Sequence, residues 1–189
     1  MLRKEWPSIP GLYGEPHRRC GREDPRPADD LSVSNGRADV SVCAIMNASI
    51  GTAFAGPVRL LTLERVLAFS GRPFSQPQWP DHNLHTNFEK AREAGLPGII
   101  VSATQFEGHL VDLLVEMFGE VWFTAGTIET KIPKSLMLGD TVQPKAVLRD
   151  IRDENGSRTF TLDVSCQNQR DEPVLVGSAS CRLSLGEPA

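Results

Sequence analysis

The pattern of hydrophobic and polar positions changes character near residue 38. Before it, no period of 2 or 3.6 is sustained. Five prolines fall in the first 30 residues, mixed with charges of both signs in HRRCGREDPRPADD. Such a stretch buries too little apolar surface to offset its ordering entropy. Residues 1–38 therefore read as a Pro- and charge-rich N-terminal arm, disordered or laid over a partner surface, with Trp6, Leu12 and Tyr13 as local anchors. Residues 39–189 read as a single domain. It opens on VSVCAIM and GTAFAGPVRLL, both predicted extended. TLERVLAFSG then reads as a short helix, with Thr62 as N-cap, Leu63, Val66 and Leu67 on one face, and Gly71 at its end. RPFSQPQWPDHN, with three prolines, reads as a loop.

Two helices follow. Thr86 and Glu89 are spaced as a T-x-x-E capping box, and Gly95 stands where a left-handed C-terminal residue belongs. Ser102 and Gln105 are spaced as an S-x-x-Q box. Behind them Phe106, Leu110, Leu113, Leu114 and Met117 recur at helical spacing up to Gly119, so residues 102–118 are predicted to form a central helix. Gly108 costs this helix roughly 1 kcal/mol against Ala, which a close approach by backbone or ligand would explain. The rest reads as four long strands: VWFTAGTIETKI, TVQPKAVLRDIR, RTFTLDVSCQ and PVLVGSASCRLSL. In the third, Phe160, Leu162, Val164 and Cys166 alternate with Thr159, Thr161, Asp163 and Ser165, which gives one dry and one wet face. Asn155-Gly156 is a strong hairpin signal. The expected architecture is α+β, a four-strand antiparallel meander wrapped around the long helix.

Charge and composition narrow the partners. Twenty Lys+Arg against 24 Asp+Glu leave a net charge of -4, without the basic stripe a duplex-binding surface needs, so no nucleic-acid partner is expected. No apolar run approaches the ~18 residues that would span a bilayer. The first residues lack the apolar core of a secretory signal. A cytoplasmic protein without membrane association is expected. Four scattered histidines and four cysteines without C-x-x-C spacing offer no zinc-type ligand set, so neither metal nor organic cofactor is expected. Cys166 and Cys181 read as small buried apolar residues.

Two places can hold chemistry. His85 directly precedes the predicted Thr86 cap, where the helix dipole disfavours the imidazolium, so a neutral imidazole able to act as a base is expected. Asp81, four residues earlier, is its candidate orienting group or acid; equally, Asp81 and Asn83 can simply make Asx turns. His109 reads as a packed or half-exposed helix residue. The second place is the start of the long helix, whose first amides have no intrahelical partner. If Ser102 caps one or two, those of Ala103 or Thr104 can still stabilise a developing oxyanion.

In order, GPVRLLTLERVLAFSG, DHNLHTNFEKAREAGL, GIIVSATQFEGHLVDLLVEMFG and SLMLGDTV resemble the MaoC-like dehydratases, the (R)-specific enoyl thioester hydratases of the hot-dog fold. The resemblance covers most of residues 56–185. It implies a hot-dog fold and an Asp–His dyad that hydrates an enoyl thioester or dehydrates a 3-hydroxyacyl thioester on coenzyme A or an acyl carrier protein. By resemblance His85 takes the histidine's place, Ala103 the oxyanion position, and Ser102, Thr104 and Asn83 adjoin the substrate. The family's motif has Asp, then Asn-Pro, an aliphatic residue and His, with the Asp following Ser-Gly. Here Ser70-Gly71 is followed by Arg72 and a proline-rich insertion, the motif's proline is missing, and Asn87 stands where Asp is common. Either Asp81 is a displaced catalytic residue or the dyad is broken. The resemblance also implies a homodimer. A hot-dog thioesterase, and a cyclase, isomerase or binding subunit with an altered dyad, are the alternatives. The high Arg, Pro, Ala and Gly content suits a GC-rich bacterial genome, where such biosynthetic enzymes are common.

Overall fold

The computed structural model of the chain describes residues 40–185 apart from Phe74 and Gln76. The proposed arm lies outside the described residues. The first described element corrects an expectation: Val42–Met46, predicted extended, is a helix (α1). Ser41 accepts a hydrogen bond from the Ala44 amide, and the turn buries Ile45 in the core. Capping plus one buried anchor outweighs the β-branched composition here. Two short strands follow, β1 (Ala53–Ala55) and β2 (Arg59–Leu60). Helix α2 (Leu63–Ser70) forms as predicted, with Thr62 accepting from the Arg65 amide and Gly71 closing it.

Helix α3 spans Phe88–Glu93 and α4 spans Ala103–Phe118. Neither predicted capping box forms. The α3 cap is Asn87, which accepts from the Lys90 amide at 3.0 Å, because the Thr86 hydroxyl bonds back to the Asp81 carbonyl. Ser102 is the α4 N-cap by position, but its hydroxyl lies 2.9 Å from the Thr104 hydroxyl and caps nothing. Gln105 turns inward, is 7% exposed, and donates to the Arg65 carbonyl of α2 at 3.3 Å. Both stop signals hold: Gly95 has φ +78° and Gly119 φ +63°. Helix α4 buries Phe106, Leu110, Leu113, Leu114, Met117 and Phe118 on one side. Its other side is partly open.

A 3₁₀ turn (Gly119–Val121) and the short helix α5 (Trp122–Ala125) then occupy what reads in sequence as the start of a strand. Trp122 is buried and stacks on Phe118 at 6.1 Å, and this burial holds the chain helical. The strand proper, β3, is Gly126–Lys131. It is followed by β4 (Thr141–Glu154), β5 (Ser157–Gln167) and β6 (Pro173–Ser184). The order in the antiparallel sheet is β1-β4-β5-β6-β3, with β2 also on β4. The meander therefore has three strands, not four. β3 crosses over to pair with β6, Ile128 opposite Ala179, rather than with β4. The β4–β5 hairpin turns at Asn155-Gly156, both with positive φ, as the dipeptide predicts. Phe160, Leu162, Val164 and Cys166 face the core, where Phe160 meets Phe118 at 5.9 Å. The sheet thus curls around α4. No helix among the described residues is long and apolar enough to cross a membrane.

Candidate active site

The loop between α2 and α3 is closed by its own polar groups. The Asp81 amide donates to the Gly71 carbonyl at 2.9 Å. The Asn83 side chain donates to the Ser70 carbonyl at 3.1 Å and accepts the His85 amide at 2.8 Å, which makes an Asx turn. The Asn83 amide in turn donates to the Thr86 hydroxyl at 3.0 Å. Both ends of the Asn83 side-chain amide are thus engaged, one by the last residue of α2 and one by the loop. This network carries His85 to the strand-like segment before α4, where its Nδ1 lies 2.8 Å from the Ile100 carbonyl. A carbonyl oxygen only accepts, so Nδ1 holds the proton. Whenever the ring carries one proton, Nε2 is then the lone-pair nitrogen. The tether orients the ring and selects its tautomer, and the α3 cap is Asn87 rather than the adjacent Thr86.

Asp81 and His85 are brought into one loop, but no hydrogen bond or ion pair joins them among the described residues. The Asp81 carboxylate lies 3.0 Å from Arg72 Nε, and both side chains are well exposed. Arg72 reaches it from a backbone with φ +66°.

Ser102, Ala103 and Thr104 do lie together at the α4 N-terminus, two residues beyond the carbonyl that holds His85. Because Ser102 does not cap, the amides of Ala103 and Thr104 keep their donors, and no intrahelical acceptor exists for them. One imidazole and two amide donors thus adjoin the same short segment, residues 100–104.

Two cavities open along the exposed side of α4. One, about 790 Å³, runs from Thr104 and Glu107 past Val111 and Val115 to Phe123 and Ile128. The other, about 550 Å³, lies between α2 and α4. Gly108 lines both. No backbone approaches it: a Cβ there would meet nothing within 4 Å, so close backbone packing is not its reason. Sequence reasoning missed the second cavity's Arg59, Arg65, Gln105 and His109. The signal was present, because Gln105 and His109 share a helix face, but Gln105 had been assigned to a cap. Cys166 and Cys181 are poorly suited to act as nucleophiles. Burial pushes the Cys166 thiol up to about 12 and the Cys181 thiol up to about 11. Among the described residues no cluster of three metal-ligating side chains occurs.

No protein-family model matches the chain, and no curated protein matches it. Solved structures do. A MaoC-like dehydratase from Rhodospirillum rubrum superposes with a TM-score of 0.59 at 19% identity, over 74% of this chain and 95% of that one. This is the hot-dog fold of the MaoC-like dehydratases. An (R)-hydratase from A. caviae involved in PHA biosynthesis aligns at TM-score 0.54 and 15% identity, over 71% of this chain and 96% of its own. A 3R-hydroxyacyl-ACP dehydratase complex from Mycobacterium tuberculosis aligns at TM-score 0.55 and 15% identity, over 72% and 98%. At such identities the likeness is one of fold. It bears out the hot-dog architecture expected from the resemblance, with the sheet curled around the buried side of α4.

Proposed function

We propose that this hot-dog protein is a hydratase or dehydratase of acyl thioesters, interconverting a 2-enoyl and a 3-hydroxyacyl thioester carried on coenzyme A or an acyl carrier protein. The observation that carries the reading is the His85 Nδ1 contact of 2.8 Å to the Ile100 carbonyl. It leaves Nε2 as a base beside the uncapped start of α4. In the hydration direction Nε2 takes a proton from water as its oxygen adds at C3, and the Ala103 and Thr104 amides stabilise negative charge on the thioester oxygen. The proton held on Nε2 then passes to C2, so that water is added across the double bond and the imidazole returns to its starting form. Asp81, held by Arg72, is the lesser partner. The similarity to (R)-hydratases and MaoC-like dehydratases supports this class, and a bacterial biosynthetic role in the cytoplasm belongs to the same reading.

Incubation with crotonyl-CoA, following enoyl absorbance and free thiol together, tests it. Loss of absorbance without thiol release is the expected result. Thiol release would replace the reading with a thioesterase. Glu107, which accepts from Thr130 Oγ1 at 2.7 Å and lines the larger cavity, would then be the carboxylate to examine. No reaction with either coenzyme A or carrier-protein substrates would leave an isomerase, a cyclase or a binding subunit.

The same reading makes the protein a homodimer. β3 pairs with β6 on one side only, which leaves an edge that a two-fold copy can cover. Light scattering at micromolar concentration is expected to give the mass of two chains, and a monomer would refute it.

A further inference from the structure

The cleft between α2 and α4 has features that the proposed hydration does not use. Gln105 is more than nine-tenths buried and lines it, yet its Oε1 has no hydrogen-bond partner. One turn on, His109 lines the same cleft and its Nε2 is likewise unpartnered. Buried polar groups in folded proteins are almost always satisfied, so two orphans on one helix face call for an explanation. Arg59 of β2 and Arg65 of α2 line the same cleft. Arg65 spends one nitrogen on the Leu60 carbonyl at 2.9 Å, and Arg59 forms no ion pair among the described residues. Asp112 is the single acid at the rim, 3.8 Å from His109 Nδ1, and Phe69 supplies an apolar wall. With His109 neutral, two arginines and one aspartate leave the cleft with one net positive charge. Its unmet needs are an anion for the arginines and a hydrogen-bond donor for the buried acceptors.

We propose that the α2–α4 cleft is a pocket for a small hydroxylated oxyanion, whose charged group lies between Arg59 and Arg65 and whose hydroxyl donates to Gln105 Oε1. The broad χ3 well of glutamine lets that oxygen turn to meet a bound donor. Burial and the Arg59 charge hold His109 below its ordinary value, and the Asp112 carboxylate, 3.8 Å from Nδ1, favours the proton on that nitrogen, which makes Nε2 a second acceptor. A carboxylate without a hydroxyl would fill the arginines and leave both acceptors orphaned. A neutral polyol would do the reverse. Hydroxycarboxylates and phosphate monoesters both carry the required pair. The pocket does not depend on His85 being catalytic.

Calorimetric titration of the full-length protein with malate, glycerol 3-phosphate and succinate tests this. Malate or glycerol 3-phosphate is expected to bind saturably, and which of them binds identifies carboxylate or phosphate as the charged group. Succinate, which lacks the hydroxyl, is expected to bind roughly tenfold more weakly than malate. Arg59→Ala and Gln105→Leu are each expected to weaken binding roughly tenfold or more. Gln105→Leu should change Tm little, because removing the orphaned acceptor at nearly constant volume offsets the loss of the bond to the Arg65 carbonyl at 3.3 Å. Failure of both hydroxylated probes to saturate would overturn the proposal. So would binding that is unchanged in either variant.

Discussion

His85→Ala is expected to lower kcat/KM on an enoyl thioester by roughly 10²–10⁴-fold, the usual contribution of a positioned general base. The fold should survive. The ring sits in a loop, is only half-buried, and among the described residues makes one hydrogen bond, to the Ile100 carbonyl at 2.8 Å. Losing a single such bond costs about 0.5–1.5 kcal/mol. His85→Asn separates tether from base, because an amide can still donate to that carbonyl but cannot take a proton near pH 7. If Asn restores turnover that Ala has lost, His85 is a strut and the mechanism proposed here is wrong. If both variants are equally inactive and both are folded, the imidazole itself is required.

The expectation for Asp81 is smaller and comes from where its charge lies. Its carboxylate faces Arg72 at 3.0 Å, not His85. Asp81→Asn should therefore reduce turnover far less than His85→Ala. Paired loss of both activities would instead show that the loop rearranges in the substrate complex to rebuild the dyad. The loop's hydrogen bonds involve the backbone of Asp81 rather than its side chain, so the asparagine variant keeps them.

These residues show why some of the architecture could be read in advance and some could not. The β4–β6 meander was legible because period 2 and Asn155-Gly156 are local properties. The apolar spacing of α4 was legible for the same reason. The two capping boxes were misread because each depends on where a side chain finds its best partner. Thr86 finds the Asp81 carbonyl, and Gln105 finds α2 at the Arg65 carbonyl, 40 positions earlier in sequence. The order of β3 in the sheet was hidden as well, since nothing within Gly126–Lys131 indicates β6 rather than β4 as neighbour. Likewise, spacing could place Asp81 and His85 in one loop. It could not reveal that Arg72, nine residues before Asp81 in sequence, folds back onto the carboxylate.

Two glycines make the same point quantitatively, and their alanine variants are expected to move stability in opposite directions. Gly108 interrupts a helix in the sequence, whereas Gly177 lies within a run of small residues. In the structure a Cβ on Gly108 would meet no atom within 4 Å. Gly108→Ala should accordingly stabilise the free protein by up to about 1 kcal/mol, the difference in helix propensity. A Cβ on Gly177 would lie 2.0 Å from the Glu129 carbonyl oxygen and 2.9 Å from Thr130 Cα. Both obstacles are backbone atoms of β3, the strand that pairs with β6 through Thr130 and Gly177. No rotamer relieves the clash, so the added methyl must push β3 away from the sheet. Overpacking of this kind costs about 1–3 kcal/mol. Urea unfolding of the two variants should raise the midpoint for Gly108→Ala and lower it for Gly177→Ala, with similar slopes if only stability changes. A Gly177→Ala protein as stable as the parent would mean that β3 is not held against β6 in the register described. That register also fixes which edge of the sheet is left for a second copy, so the proposed dimer interface would fall with it.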